Sequence, residues 1–116
     1  MSGNINHAYC VVLTTTDSEE NAQVIIDTAL ASKLTACVQV IPITSHYVWE
    51  GKINNEKELL LLLKAKASDY VELEAAIRSV HRYQTPEVIS IRIDNGSKSY
   101  LDWITSVTRY TQGNAQ

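Results

Sequence analysis

The chain has 116 residues, with ten Lys and Arg against thirteen Asp and Glu for a formal charge of −3. That length fits one domain, 1–116, able to bury a core of its own, and the charge leaves no basic surplus for phosphate backbones or anionic lipid, which sets nucleic acid and membrane surfaces aside. No basic-then-apolar leader opens the sequence and no apolar stretch approaches the roughly eighteen residues of a membrane span, so a soluble, cytoplasmic protein with an ordered core of about 7–108 is expected.

Ala8 to Leu13 is apolar throughout and reads as a buried strand, with Thr14-Thr15-Thr16 leading on to Asp17. Asp17 and Glu20 have the spacing of a capping box, and Ala22, Ile25, Ile26 and Ala29 then recur on one helix face, which predicts a helix to about Lys33. Ala36 to Trp49 is rich in Val, Ile, Thr and Tyr and reads as a long, bent strand. Pro42 in its middle removes a ladder donor and places it at a sheet edge or a bulge. Cys10 and Cys37 each sit in a strand-like apolar run, where a reduced thiol behaves as a small hydrophobe, and no disulfide is expected.

Glu50-Gly51-Lys52 marks a turn. The next stretch, Asn55 to Lys64, is ambiguous: its helix formers and its acids before bases favour a helix, whereas its closeness to a Gly turn and to a second helix signal favours the returning strand of a hairpin. Asp69 and Glu72 again have capping spacing ahead of a stripe of Tyr70, Leu73, Ile77 and Val80, so a second helix should end near His81. Val88 to Ile93 alternates as a last strand, Asn95-Gly96 signals a turn, and Tyr100, Leu101, Ile104 and Val107 suggest a short terminal helix.

This order, βαββαβ plus a C-terminal helix, predicts an α+β ferredoxin-like sandwich with one antiparallel sheet and helices on one face. Read as strand, the leucines from Leu59 to Leu63 place at least two side chains on the face that the helices leave open. Each buried leucine is worth about 1.5 to 3 kcal/mol, so self-association through that face is expected.

The densest chemistry lies in His81-Arg82-Tyr83-Gln84-Thr85-Pro86-Glu87. One imidazole and one carboxylate can orient an anion or hold a borderline metal, but they are too few for a closed structural zinc site, which takes four ligands. The alternative is a helix end and a proline-marked turn, with His81 stabilised by the last helix carbonyls and Glu87 serving the turn. No serine or threonine sits in a nucleophile elbow or triad context, so no enzyme activity is expected. His7 and His46 read as surface or packing residues, and Trp49 and Trp103 as core or interface anchors.

Ala36-Cys37-Val38, Tyr47-Val48-Trp49-Glu50-Gly51-Lys52-Ile53, Glu58 to Lys64, Tyr83-Gln84-Thr85-Pro86-Glu87 and Tyr100-Leu101-Asp102-Trp103 together resemble the CutA divalent-cation tolerance family, over nearly the whole chain. The resemblance implies the ferredoxin-like fold with Asn55 to Lys64 as strand. It also implies a tight homotrimer, binding of Cu2+ or another divalent cation, and a role in metal tolerance. The metal ligands it points to are His81 and Glu87, with Tyr83 nearby. Two departures from the resemblance bear on copper: Thr14 stands where some bacterial copper-binding members carry a cysteine, and Arg82 where a proline follows the histidine. A hydroxyl is a poor ligand for a soft ion. The second reading is a trimeric sensor or scaffold of the PII kind, in which an intersubunit pocket bearing Trp49, Lys64 and Tyr83 takes a small anionic ligand or a partner protein, Lys52 and Lys64 supplying positive charge. An acylphosphatase-like hydrolase would need an arginine in the loop after the first strand, where Asp17 stands. An RNA module would need aromatic residues on the central strands, where leucines stand.

Overall fold

The computed structural model describes residues 8–109. Four strands and three α-helices follow in the order β1 (Tyr9–Thr16), α1 (Glu19–Ala31), β2 (Cys37–Trp49), β3 (Lys52–Lys66), α2 (Tyr70–Val80), β4 (Val88–Arg92) and α3 (Lys98–Val107), with a 3-10 turn at Ala67–Asp69 before α2. The sheet is antiparallel with strand order β2-β3-β1-β4, the ferredoxin-like arrangement. Val12, Leu61 and Leu63 on one face are fully buried against Ile25 and Ala29 of α1 and Leu73 and Ile77 of α2.

Asn55 to Lys64 is strand. Its helix propensity is overridden because β3 is paired on both sides, with β1 from Leu59 to Lys66 and with β2 from Lys52 to Lys64. The hairpin that fixes this pairing turns at Glu50 and Gly51, both with positive φ (51° and 77°), the twist-matched geometry of a two-residue hairpin loop. β2 is an edge strand, as Pro42 requires. The segment 52–58 extends past the end of β1 and pairs with β2 alone, so this part of the hairpin projects as a two-stranded ribbon.

Several boundaries differ from expectation. Thr14, Thr15 and Thr16 belong to β1, paired with Leu61, Leu60 and Leu59. The helix cap is Ser18, one residue later than Asp17: extended backbone at Ser18 lets its Oγ accept from the Asn21 amide at 3.0 Å. Asp69 precedes α2 but makes no capping bond. It is fully buried, 3.9 Å from Lys66 Nζ and 3.5 Å from Arg109 Nε, and Glu72, its expected capping partner, pairs with Arg109 as well. Asn95-Gly96 forms no regular turn; Gly96 lies where a Cβ would come within 3.1 Å of Leu101, so the missing side chain admits α3.

α3 does not join α1 and α2. Tyr9 and Lys64 point to the opposite sheet face, and there Tyr9 Oη bonds Thr105 at 2.5 Å and Lys64 Nζ lies 5.5 Å from the Tyr100 ring centroid. The second face is therefore covered at one end. In its middle, Leu13, Leu60 and Leu62 are half-buried, while Ile41, Ile89 and Ile91 remain 46%, 48% and 53% exposed.

Candidate functional site

The other end of the second face holds a cavity of about 610 Å³ lined by Thr15, Asp17, Ser45, His46, Tyr47, Trp49, Glu56, Glu58, Tyr83, Gln84, Thr85 and Glu87. Strand register explains the lining: Trp49 lies opposite Lys52, Tyr47 opposite Asn54, Ser45 opposite Glu56 and Ile43 opposite Glu58, and directly opposed residues share a face. The Tyr83–Glu87 segment closes the cavity from the β4 side.

Asn21 anchors that segment. Its Nδ2 donates to the Val80 carbonyl at 2.9 Å, while its Oδ1 accepts from Thr16 Oγ1 at 3.0 Å and from the Arg82 amide at 3.2 Å. One amide thus ties the end of β1 and α1 to the last turn of α2. His81 continues the connection. Its Nε2–H donates to the Thr15 carbonyl at 2.9 Å, which leaves Nδ1 as the acceptor of the Tyr83 amide at 3.1 Å. Both ring nitrogens are engaged in the neutral tautomer. Burial pulls the His81 pKa below its usual value, against the opposing effect of the Thr15 carbonyl and of Glu58 and Asp17.

The cavity is acidic. Tyr83 Oη donates to Glu58 at 2.5 Å and Tyr47 Oη to Glu56 at 3.1 Å. Burial and then the Glu58 carboxylate raise the Tyr83 phenol far above its ordinary value, and the same two causes raise the Glu87 carboxyl. Asp17 has a counter-ion in Arg82, 3.7 Å away. Among the described residues Glu56, Glu58 and Glu87 have none, and no Lys or Arg lines the cavity.

The residues singled out from sequence are therefore partly assembled. Trp49, Tyr83 and Glu87 meet in the cavity, whereas Lys64 lies at the α3 end, twelve residues from Lys52 along β3 and so about 40 Å from the tip. Within one chain the lining carries carboxylates and no Lys or Arg, with Lys52 opposite Trp49 but outside the lining. Thr14 points to the helix side and is fully buried, its hydroxyl without a hydrogen-bond partner among the described residues. Cys10 shares that face and is buried, and both cysteines are free. His46, expected at the surface or in packing, lines the cavity; His7 lies outside the described residues. Glu56, Glu58 and Asn21 escaped the sequence reading. Their signal, a pair of acids two residues apart, becomes a site only once β3 is a strand.

Fit to a metal is incomplete in one chain. Glu58 is close enough to help raise the Glu87 carboxyl, but among the described residues no three His, Cys, Asp or Glu side chains are grouped to hold an ion. Ligation by His81 would give up one of its two hydrogen bonds.

The pattern of the family described as CutA1 divalent ion tolerance protein matches residues 10–107. The chain belongs to this family. The divalent-cation tolerance protein CutA of Escherichia coli is 40% identical over 105 residues, covering 90% of this chain and 94% of its own. That of Thermus thermophilus is 37% identical over 99 residues, covering 84% and 96%. Among solved structures, CutA1 from Oryza sativa superposes with a TM-score of 0.86 at 34% identity, over 90% of this chain and 96% of that one. A protein from Archaeoglobus fulgidus described as periplasmic divalent cation tolerance protein CutA gives 0.83 at 34% identity, over 85% and 97%. Family membership brings a role in divalent cation tolerance. Among the described residues, no helix is long and apolar enough to cross a membrane.

Proposed function

We propose that the chain works as a cytoplasmic homotrimer that binds copper or another divalent cation at the acidic end of its open sheet face, and that it is a binding protein without catalytic activity. The observation that carries this reading is the convergence of Glu56, Glu58 and Glu87 on one cavity with no Lys or Arg in its lining. Oxygen donors of this kind suit hard and borderline ions such as Mg2+, Mn2+ or Cu2+ and give no preference for copper(I). The ion is cargo, held by Glu58 and Glu87 with water or a neighbouring subunit completing its shell. What supports self-association is the half-exposed patch of Ile41, Ile89 and Ile91 around Leu60 and Leu62, a surface whose burial would contribute several kcal/mol per subunit at about 25 cal/mol per Å².

Isothermal titration of untagged protein with Cu2+ tests the metal. Glu58→Gln with Glu87→Gln should weaken binding at least about tenfold while His81→Ala changes it less. Retained Cu2+ affinity in the double variant would remove the carboxylates from the site. Light scattering should give about three times the monomer mass, and Leu62→Asp should abolish assembly by burying a carboxylate without a partner.

The cavity itself favours a second reading: a trimeric small-ligand sensor or protein scaffold of the PII kind without a physiological metal. Its volume is that of a small-molecule pocket, and His81 is committed to hydrogen bonds rather than free for ligation.

A further inference from the structure

We propose that the ligand of this pocket is a small organic cation, an alkylammonium group seated against the faces of Trp49, Tyr47 and Tyr83 with Glu56 and Glu58 as counter-ions. The proposal rests on the sensor reading and replaces the anion first expected there. Three features of the cavity select this class. Its carboxylates repel an anion, and of the two lysines expected to attract one, Lys64 lies at the far end of β3 and Lys52, opposite Trp49, is not among the lining residues. Its aromatic ring faces add to the hold on an organic cation, whereas a metal ion would draw only on the carboxylates, His46 and the phenol oxygens. Trp49 is left 52% exposed and Tyr47 37% exposed, both on the cavity side of β2, where the negative ring faces and the carboxylates act on a cation in the same sense.

The rings and acids are also held as pairs. Tyr47 Oη is bonded to Glu56 Oε1 and Tyr83 Oη to Glu58 Oε2, which fixes each ring beside its carboxylate and leaves the other carboxylate oxygen without a hydrogen-bond partner among the described residues. A cation entering the cavity meets an arrangement that needs little ordering, and preorganisation of this kind lowers the cost of binding. The volume of about 610 Å³ admits such a ligand whole.

Choline and its uncharged isostere 3,3-dimethylbutan-1-ol separate charge from shape. The full chain carrying Trp103→Phe, which removes the tryptophan on α3, leaves Trp49 as the fluorescent reporter. Choline should quench or shift that emission and bind by calorimetry, with the isostere at least about tenfold weaker. Glu58→Gln, which keeps a hydrogen-bond acceptor for Tyr83, should reduce choline affinity several-fold. Equal binding of choline and the isostere, or no binding of choline up to about 10 mM, would overturn the proposal. A parallel Cu2+ titration keeps the two failures apart: copper binding without choline binding removes the organic cation and leaves the metal reading, whereas choline binding without copper binding does the reverse.

Discussion

The two ends of the second sheet face are built on opposite electrostatic plans. At the α3 end, the buried Asp69 is flanked by Lys66 and Arg109, and Ile104 is fully buried. Arg109 is held along its whole length: its amide donates to the Lys33 carbonyl at 2.8 Å, its carbonyl accepts from Lys66 Nζ at 2.7 Å, and its guanidinium reaches Asp69 and Glu72. At the hairpin end, Glu56, Glu58 and Glu87 face open aromatic rings with no Lys or Arg among the lining residues. One end matches its charges; the other leaves like charges together, an arrangement that a bound cation would compensate.

This contrast breaks most easily at the matched end. Asp69→Ala leaves Lys66 buried without its carboxylate and should destabilise by about 3 to 5 kcal/mol in urea unfolding. A loss under about 1 kcal/mol would mean that Lys66 and Arg109 relax to solvent and that the end is not an ionic anchor. Beneath the sheet, Thr14→Val removes a fully buried hydroxyl that has no partner among the described residues, and should raise stability by about 1 kcal/mol. A loss instead would expose a hidden partner for that oxygen.

At the acidic end the expected effects on stability are smaller. Glu58→Gln should change unfolding free energy by no more than about 0.5 kcal/mol, because weakening of the Tyr83 hydrogen bond, now to a neutral acceptor, is offset by relief of the repulsion with Glu87. Carboxyl titration by NMR should then find Glu87 moved down toward its ordinary value, since Glu58 is one of the two causes that hold it up. If Glu87 does not move, burial alone sets its titration.

The smallest effect concerns pH. The His81 pKa is lowered from 6.5 by burial, so the unfolded chain takes up the proton first; the contribution of His81 is complete above that value and is lost as pH falls through the lower folded pKa. Protonation at Nδ1 also displaces the Tyr83 amide. Glu87 has the opposite sign and a more acidic window: its raised pKa favours folding below 4.5 and that benefit is lost as pH rises through the folded value. Unfolding midpoints between pH 7.5 and 5.5 should therefore fall in the wild type and fall less in His81→Gln. Parallel curves would take His81 out of the acid response.

The fold was largely legible because its signals are local. Ala22, Ile25 and Ala29 declare one helix face, Leu73 and Ile77 another, and Pro42 an edge. The site was legible only where its residues are close in sequence, as Tyr83 and Glu87 are. Within one chain Lys64 does not meet Trp49, because twelve residues of strand separate it from Lys52 at the tip, a distance that a helix would have shortened by more than half. Glu56 and Glu58 were hidden by composition: before bases in a run of leucines they look like the acidic start of a helix. Asp69 looked like a cap because the residue that makes it a buried ion partner, Arg109, arrives from forty positions away.

The hairpin tip at Glu50 and Gly51 has a consequence for how this surface can vary. The thirteen-residue β2 and its partner stay in phase because a two-residue loop with both φ positive admits one alignment. A point substitution along the ribbon alters one side chain. A single residue inserted at the tip would shift the phase, trading Leu61 and Leu63 for Leu60 and Leu62 beneath the helices and carrying Glu56 and Glu58 out of the cavity together. Along this ribbon, change can accumulate by replacement while loop length stays fixed, because the loop decides which face of β3 is the core and which face carries the acids.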